Sequence, residues 1–293
     1  MLQSKLIALI EEAAPPEFAA EWDKSGIQVA ADRTEINHLA VCLDPSPQMV
    51  EQAAKIGADM LLTHHPLTLV ARFPDKLDTY HLTLALLFRA NILLYSAHTS
   101  LDANPEGPAA WLPNALNLQN RAFLELTGSR QGQKALQGGL GLVGDLPAPL
   151  PQAEIIEILA QNLSAGLGAD NLNRVFRQSG QTPPRVSRVA VCTGSGASLL
   201  DAARKCGAEL FITGDMKYHS ALDLISENNA PKAYRRGADF FAVLDVGHFC
   251  LEEEMCRRLA LRLQLAAPGL TVTFLPGREP FAPCCMPTGT GGI

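Results

Sequence analysis

A chain of 293 residues, 47% of them hydrophobic, has room for one large or two ordinary domains and enough apolar side chains to fill their cores. Its net charge of -6 and its lack of any basic run longer than Arg235-Arg236 or Arg257-Arg258 argue against a nucleic-acid-binding face. The apolar neighbourhood from Leu82 to Tyr95 is broken by Arg89 and Asn91 and is too short for a membrane span.

The N-terminal stretch "MLQSKLIALIEEAAPPEF" turns acidic at once and has no small-residue cleavage site, so it predicts an amphipathic helix and not a signal peptide. Seven cysteines, an odd number in a chain read as lacking a secretion signal, point to reduced thiols in the cytoplasm. "EWDKSGIQV" places Trp22 and Asp23 before a short glycine-containing strand, the edge of an N-terminal lobe. His38 and His81 stand alone and read as surface residues.

From Val41 onward the sequence repeats. "VCLDPSPQMVEQAAKIGADMLLTHH" (Val41 to His65) aligns without a gap with "VCTGSGASLLDAARKCGAELFITGD" (Val191 to Asp215) at an offset of 150. Each copy predicts a β-branched strand, a turn rich in Pro, Ser or Gly, a helix stopped at Gly57 or Gly207, and a second apolar strand. Strand-helix-strand units require a parallel or mixed sheet covered by helices, so the fold class is α/β with two similar lobes. The register continues: "NILLYSAHTSLD" (Asn91 to Asp102) aligns with "FAVLDVGHFCLE" (Phe241 to Glu252), which sets His98 on His248 and Asp102 on Glu252.

The expected organisation is a first lobe over residues 1–127, a connecting segment of strand, helix and loops over 128–188, a second lobe over 189–276, and a flexible tail over 277–293. The connecting segment contains "GGLGLVGDLPAPLP", a strand and turn, and "AEIIEILAQNL", an amphipathic helix. The tail carries Cys284 and Cys285.

In open α/β sheets ligands collect beyond the carboxyl ends of the strands, where "LLTHHPL" puts His64 and His65 and where His98 and His248 also fall. Histidine with carboxylate is the ligand set of zinc, iron or manganese, and a carboxylate can bridge two such ions. If a helix opens at Phe249, His248 and Glu252 lie one turn apart and face the same point. Neighbouring residues of a strand point to opposite sides, so His64 and His65 suit two ions, which dinuclear hydrolytic sites hold roughly 3.5–4 Å apart. His98 reads either as a further ligand or as a residue orienting Asp102 or an imidazole. Asp215 reads either as a residue handling protons beside the site or as a helix cap, with His219 nearby. "TGSGAS" (Thr193 to Ser198) is a glycine-rich turn able to meet an anion, and Cys250 with a histidine would form a dyad for which no thiol-activating charge is evident.

"WDKSGIQV", "GADMLLTHHPL", "HTSLDA", "GAELFITGD" and "DVGHFCLE", in this order from Trp22 to Phe274, resemble the successive motifs of the Nif-three-like proteins, the GTP cyclohydrolase 1 type 2 homologues. The resemblance implies two divalent metal ions held by His64, His65, Asp102, His248 and Glu252 in a cleft between the lobes, and a toroidal homohexamer. The leading reading is therefore a metal-dependent hydrolase, GTP cyclohydrolase 1 type 2-like by resemblance, acting on a nucleotide or related phosphorylated small molecule, in which Asp215, His98 or His219 would supply acid or base catalysis. A non-catalytic metal-binding, metal-delivery or regulatory protein would need the same ligands. The chain departs from many relatives in its short spacer and in Asp215, where they have glutamate.

Overall fold

The computed structural model describes residues 1–130, 136–167, 176–234 and 240–281. Helix α1 (Gln3–Ala13) is followed by β1 (Gly26–Val29), β2 (His38–Cys42), α2 (Pro47–Lys55), β3 (Met60–Thr63), α3 (Thr79–Ala90), β4 (Leu93–Ser96) and α4 (Thr99–Asp102). Two sequence devices set α2: Ser46 accepts a bond from the Met49 amide and Pro47 occupies the first turn, while Gly57 ends the segment with φ +71°. The second copy follows the same plan with β8 (Val186–Ser195), α7 (Leu200–Lys205), β9 (Leu210–Gly214), α8 (Tyr218–Asn229), β10 (Phe241–Asp245) and α9 (His248–Ala266). Between them lie α5 (Trp111–Ala115), β5 (Gln119–Arg130), β6 (Leu136–Leu150), α6 (Gln152–Leu167) and β7 (Arg177–Gln181), and the chain closes with β11 (Thr271–Phe274).

The strands form two sheets, ordered β1-β4-β3-β2-β11 and β5-β6-β8-β9-β10-β7. In each, three strands of one copy run parallel, and an antiparallel edge strand, β1 or β7, closes the same side. The repeat is thus two mixed sheets flanked by helices. Alternate residues of the central strands face opposite ways: Leu39, Val41, Met60, Leu62, Leu210 and Ile212 enter the core between the sheets, with α1, α6 and α9. Ala40, Cys42 and Leu61 pack outward under α2 and α3, and Ala190 and Phe211 outward under α7 and α8.

Three features go beyond the repeat or against it. The segment between the copies is a long hairpin, β5–β6, that extends the second sheet and packs on Phe18; Thr127 donates to the Phe18 carbonyl at 2.6 Å. Strand β11, placed in the second lobe by the sequence reading, joins the first sheet instead, parallel to β2. Its Val272 and Phe274 pack on the core between the sheets, so α9 leaves one sheet and delivers the chain to the other. His38 is half-buried, and its Nε2 shares a hydrogen bond with Thr273 at 2.8 Å, tying β2 to β11. The expected tail lies outside the described residues from 282 onward, Cys284 and Cys285 included. No helix among the described residues is long and apolar enough to cross a membrane.

Candidate metal centre

The pairing of β2, β3 and β4 aligns Cys42, Thr63 and Ser96, so these three strands end at one level, and the side chains singled out by the sequence leave from there. β3 stops at Thr63, one residue before the histidine pair. Beyond it Thr63 Oγ1 donates to the His65 carbonyl and Ser96 Oγ to the His64 carbonyl, each at 2.8 Å, and the chain turns. The premise that His64 and His65 point to opposite faces therefore fails. Their ring centroids are 5.0 Å apart, and that of His98 is 5.1 Å from His64.

Each imidazole has its Nδ1 tied to an oxygen. His64 donates to the Ala97 carbonyl at 2.9 Å, and His65, His98 and His248 pair with Asp44, Asp23 and Asp215, each at 2.7 Å. A carbonyl or carboxylate can only accept, so Nδ1 carries the hydrogen and the neutral ring presents its Nε2 lone pair elsewhere. That is how a metal-ligating histidine is held.

The free nitrogens of His64, His65 and His248 converge on Glu252, one turn along α9 from His248. Its Oε1 is 3.6 Å from Nε2 of His64; its Oε2 is 3.1 Å from Nε2 of His65 and 2.7 Å from Nε2 of His248. Asp102 brings Oδ2 to 3.6 Å from Nε2 of His64, while its Oδ1 accepts from Thr193 Oγ1 at 2.7 Å. Three overlapping groups result: His64, Asp102 and Glu252; His65, His248 and Glu252; and His64, His65 and His98, each with ligand atoms within 4.8 Å of one another. Nε2 of His64, Nε2 of His248 and Oε2 of Glu252 are buried without an aligned hydrogen-bond partner. Such atoms are costly unless something else meets their lone pairs. A divalent cation fits this set: imidazole nitrogens and carboxylate oxygens, converging and otherwise unsatisfied.

Electrostatics point the same way. Burial pulls the imidazoles down, yet the surrounding carboxylates outweigh it: Asp44 and Glu252 raise His65 to about 10, and Glu252 and Asp215 raise His248 to about 9. Burial alone would raise Glu252, but His64, His248 and His65 hold it well below the carboxylate range. Burial and Glu252 raise Asp102 against the pull of His64. So many buried carboxylates in one place demand positive charge, from protons or from a metal.

Two glycines make the packing possible. Gly194, at φ +61°, lies against Glu252, and a side-chain carbon there would overlap Oε1. The turn read as able to meet an anion thus makes room for a carboxylate of its own chain. Gly214 lets the start of α9 approach β9, since a side-chain carbon there would stand 2.5 Å from the His248 amide nitrogen.

The structure brings together all of His64, His65, His98, Asp102, His248 and Glu252, with Asp215 behind His248. Asp215 is not a cap, because α8 starts at Tyr218 without a side-chain capping bond. His219 is exposed, edge-on to Tyr218 at 5.3 Å. Cys250 is buried in the core between the sheets. Sequence reasoning gave no role to Asp44, which follows β2 in a turn that looked merely proline-rich, and took Asp23 for a lobe edge.

Fold and site together define a two-sheet α/β protein with a histidine-carboxylate cluster that could hold metal in the cleft between the sheets. Residues 1–280 match the family Duf34/NIF3 (NGG1p interacting factor 3), and the chain belongs to it. Proteins named "GTP cyclohydrolase 1 type 2 homolog" are similar to it: that of Streptomyces coelicolor is 30% identical, covering 89% of this chain and 85% of its own. That of Escherichia coli K12 is 29% identical over 94% and 98%. Among solved structures, reduced HcgD from Methanocaldococcus jannaschii superposes with a TM-score of 0.74 at 25% identity, covering 94% of this chain and 98% of its own. A Bacillus cereus protein related to NIF3 gives 0.77 at 20% over 98% and 99%, a likeness of fold.

Proposed function

We propose that the cluster is a dinuclear divalent-metal centre, with His64, Asp102 and Glu252 around one ion, His65, His248 and Glu252 around the other, and that the protein is a metal-dependent hydrolase. The observation that carries this is Glu252, whose two oxygens face two different sets of nitrogen and oxygen donors. The chemistry such ions supply when bound is Lewis acidity toward a water and toward the bond under attack. The chain's own residues do the rest. His64 and Glu252 are sealed from solvent, whereas the side chains of His65 and His248 are 26% and 30% exposed, so the open side of the cluster is theirs. Asp215, half-exposed behind His248 Nδ1, takes up or returns a proton there, and His98, held by Asp23, is the second group able to do so.

The relatives' name supports a nucleotide or related phosphorylated compound as substrate. Among the described residues, Cys42, Cys192, Cys206, Cys250 and Cys256 form no disulfide, in keeping with work in the reducing cytoplasm. The test is elemental analysis of the chain purified without chelator, beside His64→Ala and His248→Ala, followed by a screen of nucleotides and phosphoesters. About two ions per wild-type chain, reduced in both variants, together with phosphate- or formate-releasing turnover is the expected result. Full metal content with no turnover on any of them would leave a metal-binding or metal-delivery protein.

A further inference from the structure

Trp22 has no part in the ligand set, yet it stands beside it. It is 57% exposed, an unusual place for a large apolar ring. The indole lies edge-on to the imidazole of His98, centroids 5.8 Å apart and planes at 72°. His98 in turn touches the rings of His64 and His65. One imidazole therefore separates a solvent-facing indole from the metal-ligating atoms.

The segment that carries Trp22 is pinned. The side chain of Asp23 is buried, and its Oδ1 accepts from His98 Nδ1 at 2.7 Å and from the Lys24 amide at 2.6 Å. Its Oδ2 accepts from Ser25 Oγ at 2.7 Å and from the Thr99 amide and hydroxyl at 3.0 and 2.6 Å. On the other side of the indole, the Ala20 amide donates to Thr99 Oγ1 at 3.0 Å, and the Asp23 amide closes a turn onto the Ala20 carbonyl at 2.9 Å. Burial would raise the Asp23 carboxyl, but the bonds from His98, Thr99 and Ser25 outweigh it and keep the group ionised. The backbone on both sides of Trp22 is thus fastened to the residues around His98.

A rigid aromatic face, left to water at the edge of a polar cleft, matches a planar ring on a ligand whose other end is polar. Stacking needs only a π-face, and an indole carried on a pinned backbone, with two side-chain torsions to fix, gives up little entropy when it stacks. We propose that Trp22 is the stacking platform for a heteroaromatic ring of the substrate, whose anionic or oxygen-rich end reaches the histidine-carboxylate cluster. The proposal rests on the hydrolase reading and narrows its substrates to compounds carrying such a ring.

The chain supplies its own reporter. Of its two tryptophans, Trp111 is buried, its Nε1 donating to the Leu251 carbonyl at 3.3 Å, so ligand-dependent fluorescence comes from Trp22. Metal-reconstituted full-length wild type, Trp22→Ala and Trp22→Phe are titrated with GTP and with inorganic tripolyphosphate, by fluorescence where Trp22 is present and by equilibrium dialysis in all three. Metal per chain is counted on the same samples. The expected result is saturable quenching by GTP, GTP binding weakened at least about fivefold in Trp22→Ala and largely kept in Trp22→Phe. Tripolyphosphate binding and metal content stay unchanged. GTP binding by Trp22→Ala as tight as by wild type overturns the platform, whether or not the variant changes subunit association. So does equal loss of GTP and tripolyphosphate, or no saturable GTP binding to wild type. The metal count judges the centre separately: two ions per chain with any of these results sinks Trp22 alone.

Discussion

Glu252 and its neighbours divide the cluster unevenly, and the division can be tested one side chain at a time. Asp102 groups with His64 and Glu252, whereas His248 groups with His65 and Glu252. Asp102→Ala and His248→Ala should each cost one ion, whereas Glu252→Gln should cost both; metal content by mass spectrometry after desalting reads this directly, and identical losses in all three would refute the division. The carboxylates behind the imidazoles act at one remove. Asp44→Ala leaves His65 without the partner that fixes its ring, and affinity for the ion at His65 should fall about 10- to 100-fold, with near-full occupancy regained at high metal concentration. Gly194→Ala tests the packing: its φ of +61° disfavours any side chain, and the added carbon meets Glu252, so both metal content and melting temperature should drop. Four positions of the cluster could be read from the sequence because the repeat doubled them, His98 over His248 and Asp102 over Glu252, and the pair His64-His65 stood out at the end of an apolar strand. Asp23 and Asp44 could not, because a carboxylate that serves a histidine far away in the sequence leaves no spacing to recognise.

Helices α4 and α9 show how equivalent stretches of the repeat diverge. Both begin at the end of a parallel strand and place a carboxylate one turn after a histidine, but α4 stops after Asp102 and α9 runs on to Ala266. The sequence "ANPEGP" explains the short one, since Pro105 and Pro108 cannot continue a helix. The long one crosses from the second sheet to the first and carries β11 with it. That transfer is invisible to a repeat-based reading, which extends each lobe in sequence order. Of the β5–β6 hairpin the second strand was legible and β5 was not, because Gln119–Arg130 is largely exposed and lacks the apolar alternation by which a strand announces itself. The approach of α9 to β9 at Gly214 fixes where His248 and Glu252 sit. Gly214→Ala puts a carbon against backbone that cannot swing aside, and it should destabilise the fold by about 1–3 kcal/mol and lower metal content together. Chemical denaturation with parallel metal analysis would show both; loss of stability with the metal intact would mean that the helix start tolerates the shift.

Every side chain of the proposed centre comes from one chain, so the donor set is complete without a partner. Its surface nevertheless asks for one. The stretch that leaves the cluster directly after His65 exposes Val70, Phe73 and Leu77 by 74%, 85% and 92%, and Phe88 on α3 is exposed as well. Large apolar side chains left to solvent along one loop mark a surface that another molecule covers. The resemblance to Nif-three-like proteins proposes copies of the same chain, assembled as a hexamer. Covering this loop would wall the open side of the cluster, where His65 and His248 meet solvent, and would limit which molecules reach it. Phe73→Ser with Leu77→Ser separates assembly from metal binding. Light scattering after size exclusion should show a homo-oligomer for the wild type and smaller species for the double variant, with metal per chain the same in both. If the variant stays assembled, the subunits meet elsewhere. If instead it dissociates and loses metal, the walls formed by neighbouring subunits hold the ions in place as much as the ligands do.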